Sequence, residues 1–172
     1  MSIAEAVQQA SAYLTEHPDE ARYRDSQARA TVESGLRVTV AGPAGEGLTT
    51  DMPKSIGGSA STPSPGWYLR AAAASCVASL VVIRAAAIGI ALEAVRVTVD
   101  SESDDRGILG LDPAIDAGAL SMKIDVEIGA PGRTYEEIDE LARWAVRHCP
   151  VTDSVSRAVP TEVETQIGRA HV

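Results

Sequence analysis

The chain has 172 residues, enough for one domain with a sizeable core, or one domain with an appended N-terminal piece. Hydrophobic residues make up 45% and aromatics 3%, with no Phe, so a disordered chain is disfavoured and the core is expected to be Ala, Val, Leu and Ile. A formal net charge of −9 argues against nucleic acid and an anionic membrane surface as partners, because phosphates call for clustered Lys and Arg.

Met1 to Ala10 has neither a basic start nor an apolar run, so no secretory signal is expected and the chain reads as cytoplasmic. From Ser2 to His17 the pattern is an amphipathic helix. Ser2 and Glu5 match a capping box, Ile3, Val7, Ala10, Tyr13 and Leu14 share a face, and Pro18 stops it. Ala28–Val32 and Leu36–Val40 alternate as half-buried strands do, with Ala28, Ala30 and Val32 on one inner face and Leu36, Val38 and Val40 on the other. Glu33-Ser34-Gly35 between them predicts a hairpin, and Leu48 to Asp51 a third short strand. The Gly-, Ser- and Pro-rich stretch from Met52 to Gly66 is a structured loop, too short for a domain linker.

Ser64 to Ile90 is expected to be the central element. Ser64 suits an N-cap and Pro65 the first helical position. Nearly every residue from Leu69 to Ala87 is apolar or small on all faces, which predicts a helix buried all round. The run between Arg70 and Arg84 falls short of the roughly 20 residues that span a bilayer, so a core helix is favoured. Beyond it, Glu93–Asp100 and Ala119–Ile128 alternate and are expected to pair antiparallel, joined by an acidic solvated loop. Thr134 and Glu137 form a second capping box for a helix to His148, with Ile138, Leu141, Ala142, Ala145 and Val146 as its stripe. Pro150 ends that helix and can begin another, which places Cys149 at an N-cap; Val155 and Ala158 would give the short third helix its inner face. Thr161 to Ile167 alternates as a final strand would.

The chemistry rests on two thiols. A lone buried cysteine most often only fills space, and Cys76 taken alone would be read that way. Cys149 sits where the start of a helix favours a thiolate, with Arg147 and His148 beside it. In a reducing compartment two cysteines are expected to be inert or redox-active, not a static disulfide. His17, His148 and His171 are scattered and no CxxC or HxxxH spacing exists, so neither a metal nor another cofactor is expected. A Cys–His–Asp hydrolase through His148 is formally open, but no motif orients that histidine.

The order of motifs carries a resemblance. A D-x-P-x-x-x-G-G loop (Asp51, Pro53, Gly57, Gly58) precedes an Ala-rich helix with AAxxSC ending at Cys76; a V-x-V-x-V-D strand, an alternating strand, a helix and CPV at 149 to 151 follow. Over about residues 26 to 168 the chain resembles the OsmC/Ohr family of osmotically induced and organic hydroperoxide resistance proteins. The resemblance implies an α/β (α+β) two-layer fold, antiparallel sheets around a long buried central helix, in an intertwined homodimer. It divides the chain into an N-terminal helix, 1–18, and one OsmC-like domain, 19–172. It implies a peroxidase without metal or prosthetic group, in which Cys76 attacks an organic hydroperoxide, Cys149 resolves the sulfenic acid as a disulfide, and a small or protein-borne dithiol reduces it. A non-catalytic dimeric small-molecule-binding protein on the same scaffold is the alternative. Family members carry a Glu just after the helix-opening Pro, holding an Arg that activates the first cysteine. This chain has Gly66 there, followed by Trp67 and Tyr68. Its N-terminal sheet offers Arg29 and Arg37, and Arg70 lies on another face of the helix from Cys76.

Overall fold

The computed structural model describes residues 1–166. Helix α1 (Ile3–Glu16) is closed by the predicted capping box, Ser2 accepting from the Glu5 N–H while Glu5 accepts from the Ser2 N–H. A single turn of 3-10 helix, Pro18–Ala21, follows it. Strands β1 (Arg29–Ser34), β2 (Arg37–Ala41) and β3 (Gly47–Thr50) form an antiparallel sheet in that order. The first turn falls at Gly35 and Leu36, one residue later than the pattern predicts, because Gly35 takes the left-handed conformation the reversal needs (φ 56°). The expected inner face of β1 is not realised: all its residues are exposed, and among the described residues its main packing partner is β2, beside it in the sheet.

Helix α2 (Pro65–Ala87) starts as predicted, the Ser64 hydroxyl accepting from the Trp67 N–H. By length and mean hydropathy it could cross a bilayer, but here it packs on strand and helix. It is not buried on all faces. Ala73, Val77, Val81 and Ala85 form the fully covered stripe, one residue per turn, while Trp67, Leu69, Ser75, Ser79 and Val82 are exposed. A single chain has only enough neighbours for one side of this helix.

Those neighbours are the β4–β5 pair and the C-terminal helices. β4 (Ala94–Glu102) and β5 (Ser121–Gly129) pair antiparallel in unbroken register, Val97 opposite Val126 and Val99 opposite Ile124. Every second residue of each turns inward. The acidic connection carries one helical turn, α3 (Asp105–Ile108), capped by Asp104. Helix α4 (Tyr135–His148) has the predicted Thr134–Glu137 capping box and buries Leu141 and Ala145 against α2. Helix α5 (Pro150–Ser156) begins at Cys149 as expected, but its buried residue is Thr152. Val155 is half exposed and Ala158 lies beyond the helix, so the predicted inner face of this helix is corrected. The predicted last strand is also corrected: residues 161–166 are irregular and exposed and pair with neither sheet, and Ile167 lies outside the described residues. The core is one cluster, Val77, Val81, Ala85, Ile90, Leu141, Ala145 and Cys149.

Candidate active site

The two cysteines, far apart in sequence, meet where α2 passes the start of α5. Cys76 lies on the side of α2 next to the buried stripe and packs against the core cluster, half-buried; Cys149 belongs to that cluster and has no exposed surface. Both are free thiols, near enough that each shifts the acidity of the other. Sequence spacing alone left this meeting undecided.

Cys149 is held from below by α5. The Thr152 N–H donates to its Sγ at 3.5 Å, the N-cap bond that the position three residues into a helix supplies. Thr152 is itself locked, its hydroxyl donating to the Val146 carbonyl at 2.6 Å and lying 3.1 Å from that of Cys149. Burial works to raise the Cys149 thiol, but the Thr152 N–H, the neighbouring Cys76 thiol and the Val151 N–H bring it below its ordinary value. Cys76 is displaced the other way. Burial pushes it up, its bond to Cys149 and the charge of the Cys149 thiolate add to that, and the Val151 N–H opposes. Of the two thiols, Cys149 is shifted toward the more acidic side. Thr152 escaped the sequence reading, although its spacing after an N-cap residue is the signal that marks it.

The other candidates lie elsewhere. His148 is not turned to Cys149: its Nδ1 meets the Trp144 carbonyl at 2.8 Å and its ring stacks on Trp144, centroids 4.1 Å apart. Arg84 covers Trp144 at 4.9 Å. The hydrolase arrangement and a contribution of His148 to the Cys149 thiolate are therefore both set aside. Arg70 binds the Ser101 hydroxyl at 3.1 Å, off the thiol pair as its helical position predicted. Arg37 binds Glu33 at 2.9 Å and Ser61 at 3.1 Å, and Arg29 lies beside Gln27, Gly42 and Pro43 at the far end of the sheet. Gly66 is exposed with room around it, a Cβ there coming no closer than 3.8 Å to the Arg70 guanidinium.

The loop that leads into α2 is organised by Asp51. This carboxylate, 2% exposed, accepts from the N–H groups of Met52 (2.8 Å), Ser59 (3.2 Å) and Ser61 (3.0 Å) and from the hydroxyls of Ser59 and Ser61. The Ser59 hydroxyl and the Ser61 N–H, then the remaining donors, hold it well below the usual carboxylate range against the effect of burial. Both glycines of the loop are required by its path. Gly57 has φ 91°, and a Cβ on Gly58 would fall on the Met52 carbonyl.

A mixed fold of helices and antiparallel strands, with two free thiols in contact at the meeting of a long helix and a Cys-Pro-Val helix start, defines a class of two-cysteine α+β proteins. The family profile described as OsmC-like protein matches residues 58–164, more than half of the chain. The chain belongs to the OsmC-like family. No curated protein matches the sequence. Among solved structures, an organic hydroperoxide resistance protein OsmC from Legionella pneumophila is 21% identical, over 78% of this chain and 90% of that one, with a TM-score of 0.59. An OsmC-like protein from Mycoplasma pneumoniae is 18% identical over 78% and 89%, TM-score 0.66. An OsmC-like protein of unknown function from Vibrio cholerae is 11% identical over 77% and 94%, TM-score 0.65. These likenesses show the shared fold.

Proposed function

We propose that this protein is a thiol-dependent peroxidase that reduces small organic hydroperoxides in the cytoplasm. The observation that supports it best is the contact between two free thiols, one within reach of solvent and one buried behind it. Cys76 attacks the terminal oxygen of the hydroperoxide, the O–O bond breaks, and Cys76 becomes a sulfenic acid as the alcohol leaves. The Cys149 sulfur then displaces hydroxide to form a Cys76–Cys149 disulfide, and an external dithiol restores both thiols by exchange. Family membership and the organic hydroperoxide resistance protein of like fold point the same way. The apolar surroundings of the pair suit an alkyl hydroperoxide.

The working unit of this reading is a homodimer. The uncovered side of α2, with Leu69 and Val82, and the exposed strand β1, with Val32, are surfaces that one chain leaves open, and a second copy would cover them. Sedimentation at micromolar concentration should find no folded monomer.

The deciding experiment is consumption of an alkyl hydroperoxide with dithiol present. The wild type should turn over and lose two thiols per chain to an intramolecular disulfide when dithiol is withheld. Cys76→Ser should consume nothing, and Cys149→Ser should stop after at most one oxidation per chain, with sulfenate trapped at Cys76. A wild type that keeps both thiols under excess hydroperoxide would leave a small-molecule-binding protein as the function.

A further inference from the structure

A disulfide offers a reducing thiol two sulfurs, and those of Cys76 and Cys149 are not equally placed. Cys149 has no exposed surface and belongs to the core cluster with Val77, Val81, Leu141 and Ala145. A second copy of the chain can only add cover, so this sulfur is closed to solvent in a dimer as it is in one chain. Cys76 is half-buried on α2, and of the two it alone can remain within reach. Cys149 is also held from inside the chain. Thr152, 8% exposed, donates its N–H to the Cys149 sulfur at 3.5 Å and its hydroxyl to the Val146 carbonyl at 2.6 Å, which ties α5 to the end of α4. The Asp153 N–H donates to the Cys149 carbonyl at 2.9 Å, and Pro150 fixes the next φ. Turning the Cys149 sulfur outward would give up the Thr152 N–H and open the core. Held where it is, the sulfur has a donor in place for negative charge. In exchange, a thiol leaves faster the better its thiolate is stabilised.

We propose that the reducing dithiol attacks the sulfur of Cys76 and that Cys149 is the leaving thiolate, with Thr152 as the positioning residue that keeps it inside. This rests on the peroxidase reading of the same pair and gives its reduction step a direction. One thiolate of the reductant bonds to the Cys76 sulfur. The Cys76–Cys149 bond breaks, and its electron pair leaves with Cys149 toward the Thr152 N–H. Cys149 takes a proton from the second thiol of the reductant. That second sulfur then attacks the first, closing the reductant's own disulfide and releasing Cys76 as a thiolate, which takes a proton from water. Overall, the protein disulfide and the dithiol exchange oxidation states, and no adduct forms on Cys149.

The direct test needs no variant and no peroxide. Wild-type protein is oxidised with diamide to the intramolecular disulfide, mixed with excess 2-mercaptoethanol and quenched in acid within the first turnover. Peptide mass mapping should find the mercaptoethanol adduct on Cys76 and Cys149 free. The single-thiol variants, checked for fold by circular dichroism, should show the same order: an aromatic disulfide should label Cys76 in Cys149→Ser at least about tenfold faster than Cys149 in Cys76→Ser, and the two alike in urea. Thr152→Val, close in shape but without the tie to Val146, should slow reduction by dithiothreitol several-fold and let adduct appear on Cys149. Thr152→Ser should restore both the rate and the Cys76 adduct, a recovery that loss of packing would not give. Adduct chiefly on Cys149, or equal labelling of the two thiols in the folded variants, overturns the proposal and leaves the peroxidase reading standing if hydroperoxide is still consumed. An adduct ratio unmoved in Thr152→Val overturns the part given to Thr152. Failure of diamide to form the disulfide overturns proposal and peroxidase reading together. If the adduct falls on Cys76 but the wild type leaves alkyl hydroperoxide unconsumed, the direction of exchange stands and the peroxidase reading falls.

Discussion

In β4, Val95, Val97 and Val99 turn under α2 while the residues between them face solvent; in β1, an equally alternating strand, Ala30 and Val32 are as exposed as Arg29 and Thr31. The same sequence pattern thus yields a covered strand in one half of the molecule and a bare one in the other. α1 repeats the contrast with α4, since both carry complete capping boxes, but only α4 has fully buried residues. An alternating or amphipathic pattern specifies a face and does not supply what lies over it. The thiols are in the covered half, where a sulfur can be held against N–H donors away from water, and the bare half is the surface a second copy would occupy.

Paired substitutions can break this comparison. The largest difference is expected for a charge placed in each half. Val81→Asp puts an unpaired carboxylate at a position with no exposed surface and should abolish cooperative unfolding, whereas Val32→Asp should leave the chain folded by circular dichroism and reduce its self-association in sedimentation. Leu141→Ala should lower stability in urea titrations by about 3 kcal/mol, and Leu36→Ala, in the exposed turn, by less than about 1 kcal/mol.

Asp51 joins the two halves, at the end of the sheet and the start of the loop into α2, and its effect should depend on pH. Its carboxyl is held below its unfolded value of about 3.9, so its stabilisation is complete above that pH and is lost as the pH falls toward the folded value. Wild type and Asp51→Asn should therefore differ most in midpoint at neutral pH and converge in acid. At neutral pH the variant should also be cut faster by protease between residues 52 and 63. A constant difference down to the most acidic pH would show that the charge of Asp51 is not what holds the loop. The smallest effect is expected at the caps. Thr134→Ala should cost about 1 kcal/mol of global stability. Ser2→Ala should leave global unfolding unchanged and only speed amide exchange in α1, because that helix opens without disturbing the core.

Local chemistry was legible in the sequence. Ser2 and Thr134 cap where the Glu three positions later said they would, and Ser64 and Cys149 where the proline after each did. The strands of both sheets and their antiparallel pairing followed from alternation and turn residues, and the order of motifs carried the family. Three expectations that needed a partner surface are not met among the described residues of one chain: the inner face of β1, the covered face at Val155 and the strand from Thr161. Each segment has the pattern, but among the described residues nothing covers or pairs it. The site divides the same way. The sequence determined which atoms are reactive and that Cys149 begins a helix. Only the tertiary structure decided that α2 passes that helix start with Cys76 beside it, and that the two thiols are shifted in opposite directions. Contact between such distant residues, and the burial and N–H donors that set their acidity, are properties of packing, which no local spacing encodes.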